Sequence, residues 1–258
     1  MSTQGVKGLE AKQARERDFH NAVFTDNRRV KAVSGIYDLL HDSRIFYEQF
    51  IREHARGARL LEFGCGASAM GSTFGAEASE VVGIDISDVA VRNATEIAER
   101  TGLRASYHVM DAEQLEFPDR SFDLICSAAI LHHLDLDKAY SEIARTLKPG
   151  GHAIFMEPLA YNPVINLYRR LTPHLRTPDE HPLTVEDLRL ASNYFGRVEV
   201  KYYALTTLVS LAVRKFPRLF WRSLVRLEGL DRALFKIAPW TRRYAWHVVI
   251  TLSEPKSA

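Results

Sequence analysis

The pattern of hydrophobic and polar positions changes near residue 59. Before residue 55, apolar residues recur at helical spacing, which predicts amphipathic helices. From Arg59 onward, short apolar runs are separated by stretches of helical periodicity. Seven of these runs are predicted to be strands: RLLEF, EVVGID, RASYHVM, FDLICSA, HAIFMEP, VEVKYYAL and YAWHVVITL. Strands that alternate with helices are typical of βαβ units, so the sequence predicts an α/β fold with a parallel sheet.

Two stretches interrupt this alternation and suggest how the chain is organised. Four prolines between residues 159 and 183 predict a loop-rich segment, and a basic, aromatic-rich helical insertion is predicted over 206–240. We expect both segments to act as lids, because a sheet of this kind binds its ligands at the carboxyl ends of the strands. The predicted domains are a helical cap over 1–55 and a core domain over 56–258.

Two glycines one residue apart, Gly64 and Gly66, directly follow the first predicted strand. Glycine permits a sharp turn and lets a ligand approach the backbone without a Cβ atom in the way, although a tight structural turn alone would explain the pair. Ser68 stands where a dinucleotide fingerprint has another glycine. Glu62, at the end of the strand, would repel a pyrophosphate but attract a cationic amine.

Acidic residues also follow the second and third predicted strands. Asp85 lies about 20 residues after the glycines, where a carboxylate can accept hydrogen bonds from both ribose hydroxyls. Asp111 can accept a hydrogen bond from an adenine amino group, and Ile86 can pack on the adenine face. The alternatives are that Asp85 caps the helix that begins near Ser87 and that Asp111 is a turn residue.

Four segments, in this order, are similar to the class I S-adenosylmethionine-dependent methyltransferases, in the ubiquinone-biosynthesis-like (type 11) subgroup: LLEFGCGAS, VVGIDIS, MDAEQLEFPDRSFDLICSAAILHHL and ARTLKPGG. The resemblance covers Arg59 to Pro158. It implies a Rossmann-like, doubly wound sheet of seven strands, mostly parallel, with an antiparallel last strand. It also implies methyl transfer from S-adenosylmethionine to an O, N, C or S atom of a small molecule, with release of S-adenosylhomocysteine.

The resemblance also implies which residues bind the cofactor. The methionine end would be bound by Glu62, Gly64 and Gly66, the ribose by Asp85, the adenine by Ile86, Asp111 and Ala112, and the region of the transferred methyl group by Ser127. The family usually has a third glycine at the position of Ser68, so the loop geometry there is left open.

Three histidines are candidates for acid–base catalysis. Methyl transfer is an in-line displacement, so a base is optional, but a histidine near the methyl group would assist a hydroxyl or protonated amine acceptor. His132 and His133 follow the fourth predicted strand, and His181 lies in the proline-rich segment. The alternative for the first two is that they cap or pack the following helix.

Composition and charge limit the classes of partner that the protein is expected to bind. The formal net charge of +2 does not indicate that the protein binds nucleic acid. The segment from Arg214 to Arg243, however, contains nine basic residues and only two acidic ones. An amphipathic helix over 214–236 is therefore either a packed cap or a contact to a membrane surface or acidic partner. Cys65 and Cys126 show no metal-ligand spacing, so we expect no metal site, no disulfide and a cytoplasmic protein. No signal peptide or membrane span is predicted, and the oligomeric state stays open.

Three other functions remain as alternatives. A nicotinamide-dependent oxidoreductase would need a phosphate-binding helix N-terminus that the loop after Gly66 does not clearly supply. A non-catalytic nucleoside-binding regulator or assembly partner would bind the cofactor without turnover. A nucleic-acid methyltransferase is disfavoured because SAAI stands where a base-methylation motif of the Asn-Pro-Pro-Tyr type would lie.

Overall fold

The computed structural model describes residues 3–25, 36–66, 75–177 and 179–256. Seven strands form one sheet in the order β3-β2-β1-β4-β5-β7-β6. They are β1 (Arg59–Phe63), β2 (Glu80–Asp85), β3 (Ala105–Val109), β4 (Phe122–Ala128), β5 (Leu147–Pro158), β6 (Phe195–Tyr203) and β7 (His247–Pro255). The first five strands are parallel, and β7 lies antiparallel between β5 and β6. The predicted fold class is therefore confirmed.

Seven α-helices connect or cover these strands. They are α1 (Thr3–Thr25), α2 (His41–Ala55), α3 (Asp88–Thr101), α4 (Leu136–Thr146), α5 (Pro163–Leu171), α6 (Val185–Tyr194) and α7 (Pro217–Ile237) within the described residues. Short 3-10 turns lie at Asp38–Leu40, Leu131–His133, Pro173–Leu175, Thr207–Val213 and Pro239–Tyr244. The Ser87 side chain caps α3 by accepting the N–H of Ala90, and Thr184 with Asp187 forms a capping box on α6.

The sheet is buried on both faces, which explains why its strands are nearly continuous apolar runs. Successive side chains of a strand point to opposite faces, so Leu61 and Phe63 pack with α4 and α6 while Leu60 packs against α2. Tyr47 and Ile51 of α2 are almost fully buried in this second layer. The helix α2 thus packs on one face of the sheet as part of the hydrophobic core, whereas α1 lies outside this core.

The segment between β5 and α6 contains more regular structure than its prolines predict. The helix α5 begins at Pro163, where a missing N–H costs nothing, and the Asn162 side chain accepts the N–H groups of Val164 and Ile165. Further along the chain, α7 presents an apolar face that includes Phe220 and Leu224 to a separate small core cluster. None of the helices in the described parts of the chain is long and apolar enough to cross a membrane.

Candidate functional site

A cavity of about 510 Å³ opens at the carboxyl ends of β1, β2, β3 and β4. The ends of parallel strands meet at one edge of the sheet, so residues far apart in sequence converge there. All eight residues predicted to bind the cofactor line this cavity: Glu62, Gly64, Gly66, Asp85, Ile86, Asp111, Ala112 and Ser127. The structure therefore brings the predicted set together, and their ligand contacts stay a prediction.

Asp85 connects the glycine turn to the start of α3. Its Oδ2 accepts the N–H of Gly66 at 2.9 Å, and its Oδ1 accepts the N–H of Ser87 at 2.9 Å. Gly64 and Gly66 have φ angles of 82° and 54°, a left-handed conformation that favours glycine. Burial raises the pKa of Asp85, and the two backbone donors offset part of that effect. Each carboxylate oxygen keeps a further lone pair for a ligand.

Asp111 follows β3 and is part of both a turn and the cavity wall. Its Oδ1 accepts the N–H of Glu113 at 2.8 Å, the pattern of a local Asx turn, so the alternative interpretation describes one of its roles. Its Oδ2 accepts a hydrogen bond from the side chain of Gln13, which belongs to α1. Burial raises the pKa of Asp111 as well. The carboxylate is thus bonded from two sides at the rim of the cavity.

The surroundings of Ser127 and Gly66 indicate whether the cavity suits a nucleoside cofactor. The Ser127 hydroxyl is buried, lines the cavity and has no hydrogen-bond partner among the residues that the structure describes. A buried hydroxyl without a partner costs about 1–3 kcal/mol, which a polar ligand atom would recover. A Cβ atom on Gly66 would meet nothing closer than the Phe24 ring at 3.7 Å, so the backbone there is open to a ligand. Both features fit the cofactor that the resemblance implies.

The helix α1 forms one wall of the cavity. Its lining residues recur at helical spacing: Lys12, Gln13, Glu16, His20 and Phe24. Asn21 fixes the helix to the start of α3, since its amide donates to Asp88 at 2.8 Å and accepts from the Ser87 hydroxyl at 2.5 Å. The predicted N-terminal cap therefore contains one helix that packs on the sheet, α2, and one that covers the cavity.

The proline-rich segment holds α1 from outside instead of lining the cavity. Asp179 accepts two hydrogen bonds from Arg15, at 2.9 and 3.0 Å, and the Thr177 hydroxyl donates to Glu16 at 2.6 Å. Among the described residues, neither segment 159–183 nor segment 206–240 contributes to the lining of the cavity. The lid role of these two segments stays a prediction, while the position of α1 makes it the more direct cover.

Of the three candidate histidines, His133 lines the cavity and the other two do not. His133 is buried, and burial lowers its pKa, so its imidazole is neutral at neutral pH. Its Nδ1 lies 3.1 Å from Oε2 of Glu16. His181 is exposed, and its backbone N–H donates to the carbonyl of His132 at 2.9 Å.

His132 is buried and paired with Glu157 at the end of β5. The Nδ1 of His132 lies 2.7 Å from Oε2 of Glu157, whose Oε1 accepts the N–H groups of Ile130 and Leu131 at 2.9 and 2.8 Å. Burial alone would raise the pKa of Glu157, but the His132 hydrogen bond and these backbone donors hold it below its usual value. The pair fixes the turn after β4, which agrees with the packing alternative for this histidine.

Glu16 and His20 are not among the site residues predicted from the sequence. They lie four residues apart on α1, so their side chains share one helix face and reach His133 together. The nearby imidazoles of His133 and His20, together with the Thr177 hydroxyl, outweigh the effect of burial and hold the pKa of Glu16 well below its usual value. The i, i+4 spacing was a visible signal, but only the fold brings this pair to the turn after β4.

Comparison with known proteins agrees with this fold. The family model described as "Methyltransferase domain" matches residues 61–155. Sterol 24-C-methyltransferase erg6 of Aspergillus fumigatus is 36% identical over 115 residues, covering 43% of this chain and 30% of that protein. Ubiquinone biosynthesis O-methyltransferase of Alkalilimnicola ehrlichii is 34% identical over 101 residues, covering 38% and 41%. The chain thus spans about a third to two fifths of the length of these curated relatives.

A solved structure is similar over nearly the whole chain. Phosphoethanolamine N-methyltransferase 2 of Haemonchus contortus, in complex with phosphomonomethylethanolamine and S-adenosylhomocysteine, superposes with a TM-score of 0.64 at 18% identity. The superposition covers 93% of this chain and 60% of that protein, and at this identity it shows the fold. The family match contains the end of β1 and all of β2, β3 and β4, the four strands whose carboxyl ends form the cavity, as well as most of β5. Residues 61–155 therefore match a methyltransferase domain, and the chain shares the fold of this similar structure.

Proposed function

We propose that the protein transfers a methyl group from S-adenosylmethionine to a small-molecule acceptor in the cavity. The observation that carries this proposal is the convergence of Glu62, Asp85 and Asp111, each at or just after the end of a different strand, on one cavity. Their carboxylates match the three polar parts of the cofactor: its ammonium group, its ribose hydroxyls and its adenine amine. A pyrophosphate would be repelled there, which disfavours a nicotinamide cofactor.

The chain's own residues would bind, orient and desolvate the reactants. When bound, the cofactor supplies an electrophilic methyl group on a sulfonium. Gly66 gives access to the backbone, and Ser127 offers its hydroxyl inside the cavity. The wall formed by α1 excludes water, which favours an in-line displacement between two oriented reactants. His133, neutral and at the cavity wall, is positioned to accept a proton from the acceptor.

The acceptor is proposed only as a class. The relatives are named as a C-methyltransferase of sterols and an O-methyltransferase of ubiquinone biosynthesis, and the similar structure is named as an N-methyltransferase. These names differ in the atom that is methylated and share a small-molecule acceptor. The cavity, with one wall made by α1, suits a small molecule better than a polymer.

Calorimetry and turnover separate this proposal from its alternatives. We expect S-adenosylhomocysteine and S-adenosylmethionine to bind with one site per chain, and NADH not to bind. A labelled methyl donor incubated with cell extract should then yield a labelled small molecule. Failure of both nucleosides to bind would refute the cofactor, and binding without any labelled product from extracts would favour a nucleoside-binding regulator.

We also infer that α7 contacts an anionic membrane surface. Large apolar side chains stand exposed along and beside this helix: Phe216 65%, Leu219 50%, Trp221 42%, Val225 54% and Trp240 71%. Arg218, Arg222 and Arg226 are exposed among them. An amphipathic helix that combines aromatic and basic residues is typical of surfaces that bind anionic lipid headgroups. An apolar acceptor, as in the relatives named for sterol and ubiquinone biosynthesis, would be reached from such a surface.

A further inference from the structure

Glu16, His20 and His133 bring one carboxylate and two imidazoles together at the wall of the cavity. One ligand atom of each residue lies within 4.8 Å of the other two. Glu16 and His20 come from adjacent turns of α1, and His133 comes from the turn after β4. We propose that these three residues bind a divalent first-row transition-metal ion such as Zn²⁺. Two imidazoles and one carboxylate form a ligand set that such ions accept.

The distances between the ligand atoms suit a shared ion. Glu16 Oε2 lies 3.1 Å from Nδ1 of His133 and 3.4 Å from Nε2 of His20. Metal bonds of about 2.0–2.2 Å place neighbouring ligand atoms of a tetrahedral or octahedral site about 3.0–3.5 Å apart. Glu16 is thus already placed to share an ion with either histidine, and the ligand atoms of His20 and His133 lie within 4.8 Å of each other.

A second histidine–carboxylate pair in the same region shows what a satisfied hydrogen bond looks like here. His132 and Glu157 meet at 2.7 Å with hydrogen-bond geometry. In contrast, Glu16 Oε2 and His133 Nδ1 are buried without a hydrogen-bond partner of good geometry among the described residues. Glu16 and His133 are 5% and 8% exposed. A cation between them would satisfy both atoms, which their mutual contact does not.

A neighbouring hydroxyl group orients one of the three proposed ligands. The Thr177 hydroxyl donates to Oε1 of Glu16 at 2.6 Å, which orients the carboxylate and leaves Oε2 for the ion.

An alternative group shares one of the histidines. His132, His133 and Glu180 also place ligand atoms within 4.8 Å of one another. This group is the weaker candidate, because His132 is already bonded to Glu157 and a carboxylate oxygen of Glu180 lies 3.6 Å from Arg176. The experiment below therefore includes variants of both groups.

Three protein ligands leave coordination positions open to the cavity, since Glu16, His20 and His133 all line it. With the ion bound, Nδ1 of His133 would coordinate it and would no longer accept a proton. The ion would instead bind an oxygen or nitrogen atom of the methyl acceptor and orient it, so the site selects acceptors with such a donor atom. This role in methyl transfer rests on the proposed function. Metal binding itself does not depend on the cofactor.

The test uses the full chain after removal of metals with a chelator and without nucleoside. Titration with Co²⁺ should give visible absorption bands that saturate at one ion per chain, and calorimetry with Zn²⁺ should give the same stoichiometry. Glu16→Gln, His20→Asn and His133→Asn should each weaken binding at least about tenfold, and Thr177→Val should weaken it less while keeping all three ligands. His108→Asn, at an exposed histidine on β3, is the matched control.

Several outcomes would overturn the site. Absence of saturable Co²⁺ bands would do so, as would binding that survives all three ligand variants but is lost in Glu180→Gln. Circular dichroism of each variant shows whether it is folded, and Thr177→Val gives an independent result if a ligand variant is not. Titration of the same samples with S-adenosylhomocysteine separates the two proposals, because either ligand can bind while the other fails.

Discussion

Asp85 serves the fold and the candidate cofactor site with the same carboxylate. It accepts backbone N–H groups from the glycine turn and from the start of α3, and it lines the cavity. We expect Asp85→Asn to weaken S-adenosylhomocysteine binding at least tenfold, because hydrogen bonds to a charged group are worth about 1.5–3 kcal/mol each. Titration calorimetry measures this change directly.

The control for this variant is Glu99→Gln, at a solvent-exposed position on α3 outside the cavity. It also removes one negative charge, but near the far end of α3 and away from the site, so the affinity of this variant should equal that of the wild type. An Asp85→Asn protein that binds as tightly as the control would rule out hydrogen bonds from the ribose to this residue. Thermal unfolding of both variants checks that lost binding does not reflect lost structure.

The helix α1 is attached to the rest of the molecule mostly by polar contacts to distant segments, including Asp111, Asp88 and Asp179. A helix that buries few apolar side chains opens locally at low free-energy cost. We expect hydrogen exchange over residues 3–25 to slow when S-adenosylhomocysteine binds beneath it. Exchange in α7, which does not line the cavity, should change much less.

Asn21→Ala tests the same idea without a ligand. The variant removes the contacts to Asp88 and Ser87 and should speed exchange in α1 while leaving β1 unchanged. The two lost hydrogen bonds are worth about 0.5–1.5 kcal/mol each, so the exchange rate should rise about fivefold or more. Exchange in α1 that responds to neither the ligand nor the variant would show that the helix is not a mobile cover.

The proposed membrane contact of α7 can be tested with lipid vesicles. We expect the protein to bind vesicles that contain phosphatidylglycerol and not vesicles of phosphatidylcholine alone, because basic residues near an anionic membrane contribute about 1 kcal/mol each. Arg222→Glu combined with Arg226→Glu should abolish sedimentation with the anionic vesicles. Arg104→Glu combined with Arg197→Glu, at two exposed arginines outside α7, is the charge-matched control. Equal binding to both vesicle types would argue against an electrostatic membrane contact.

The elements differ in how far the sequence predicts them, and the reason is the range of the interactions that define them. Strands such as β2 are continuous apolar runs, so the local sequence of each run is enough to predict a strand there. The position of α1 depends on pairs such as Gln13 with Asp111 and Glu16 with Thr177, 98 and 161 residues apart. Periodicity predicts a helix there but not the surface that it covers.

The same limit applies to the candidate site. The acids of the cavity could be predicted because each lies at or just after the end of a strand, and that end has a fixed place in the sheet; Asp85, the last residue of β2, is the clearest case. The roles of the histidines could not be predicted in this way, since His132 and His133 are neighbours in sequence and follow the same strand. Their different roles depend on which carboxylate reaches each ring, Glu157 for the first and Glu16 for the second.

At the scale of the whole molecule, buried histidines link stability to pH. His247 lies on β7 at the point where it pairs with Pro158 of β5, and its side chain is 4% exposed. Burial lowers the pKa of His247 to about 3. The unfolded chain keeps an ordinary histidine pKa of about 6.5, so between these two values the unfolded state binds a proton that the folded state does not.

The free energy of unfolding should therefore fall as the pH drops from about 6.5 toward 3, by up to about 1.4 kcal/mol per pH unit from this one residue. Above pH 6.5 both states are neutral at this position, and its contribution to stability is fully present. His247→Gln removes the titration, so urea unfolding at pH about 7 and about 5 should show a smaller loss of stability in the variant than in the wild type. His108→Gln, on the exposed face of β3, should retain the wild-type slope. Identical slopes in all three proteins would mean that His247 becomes protonated in the folded state as readily as in the unfolded one.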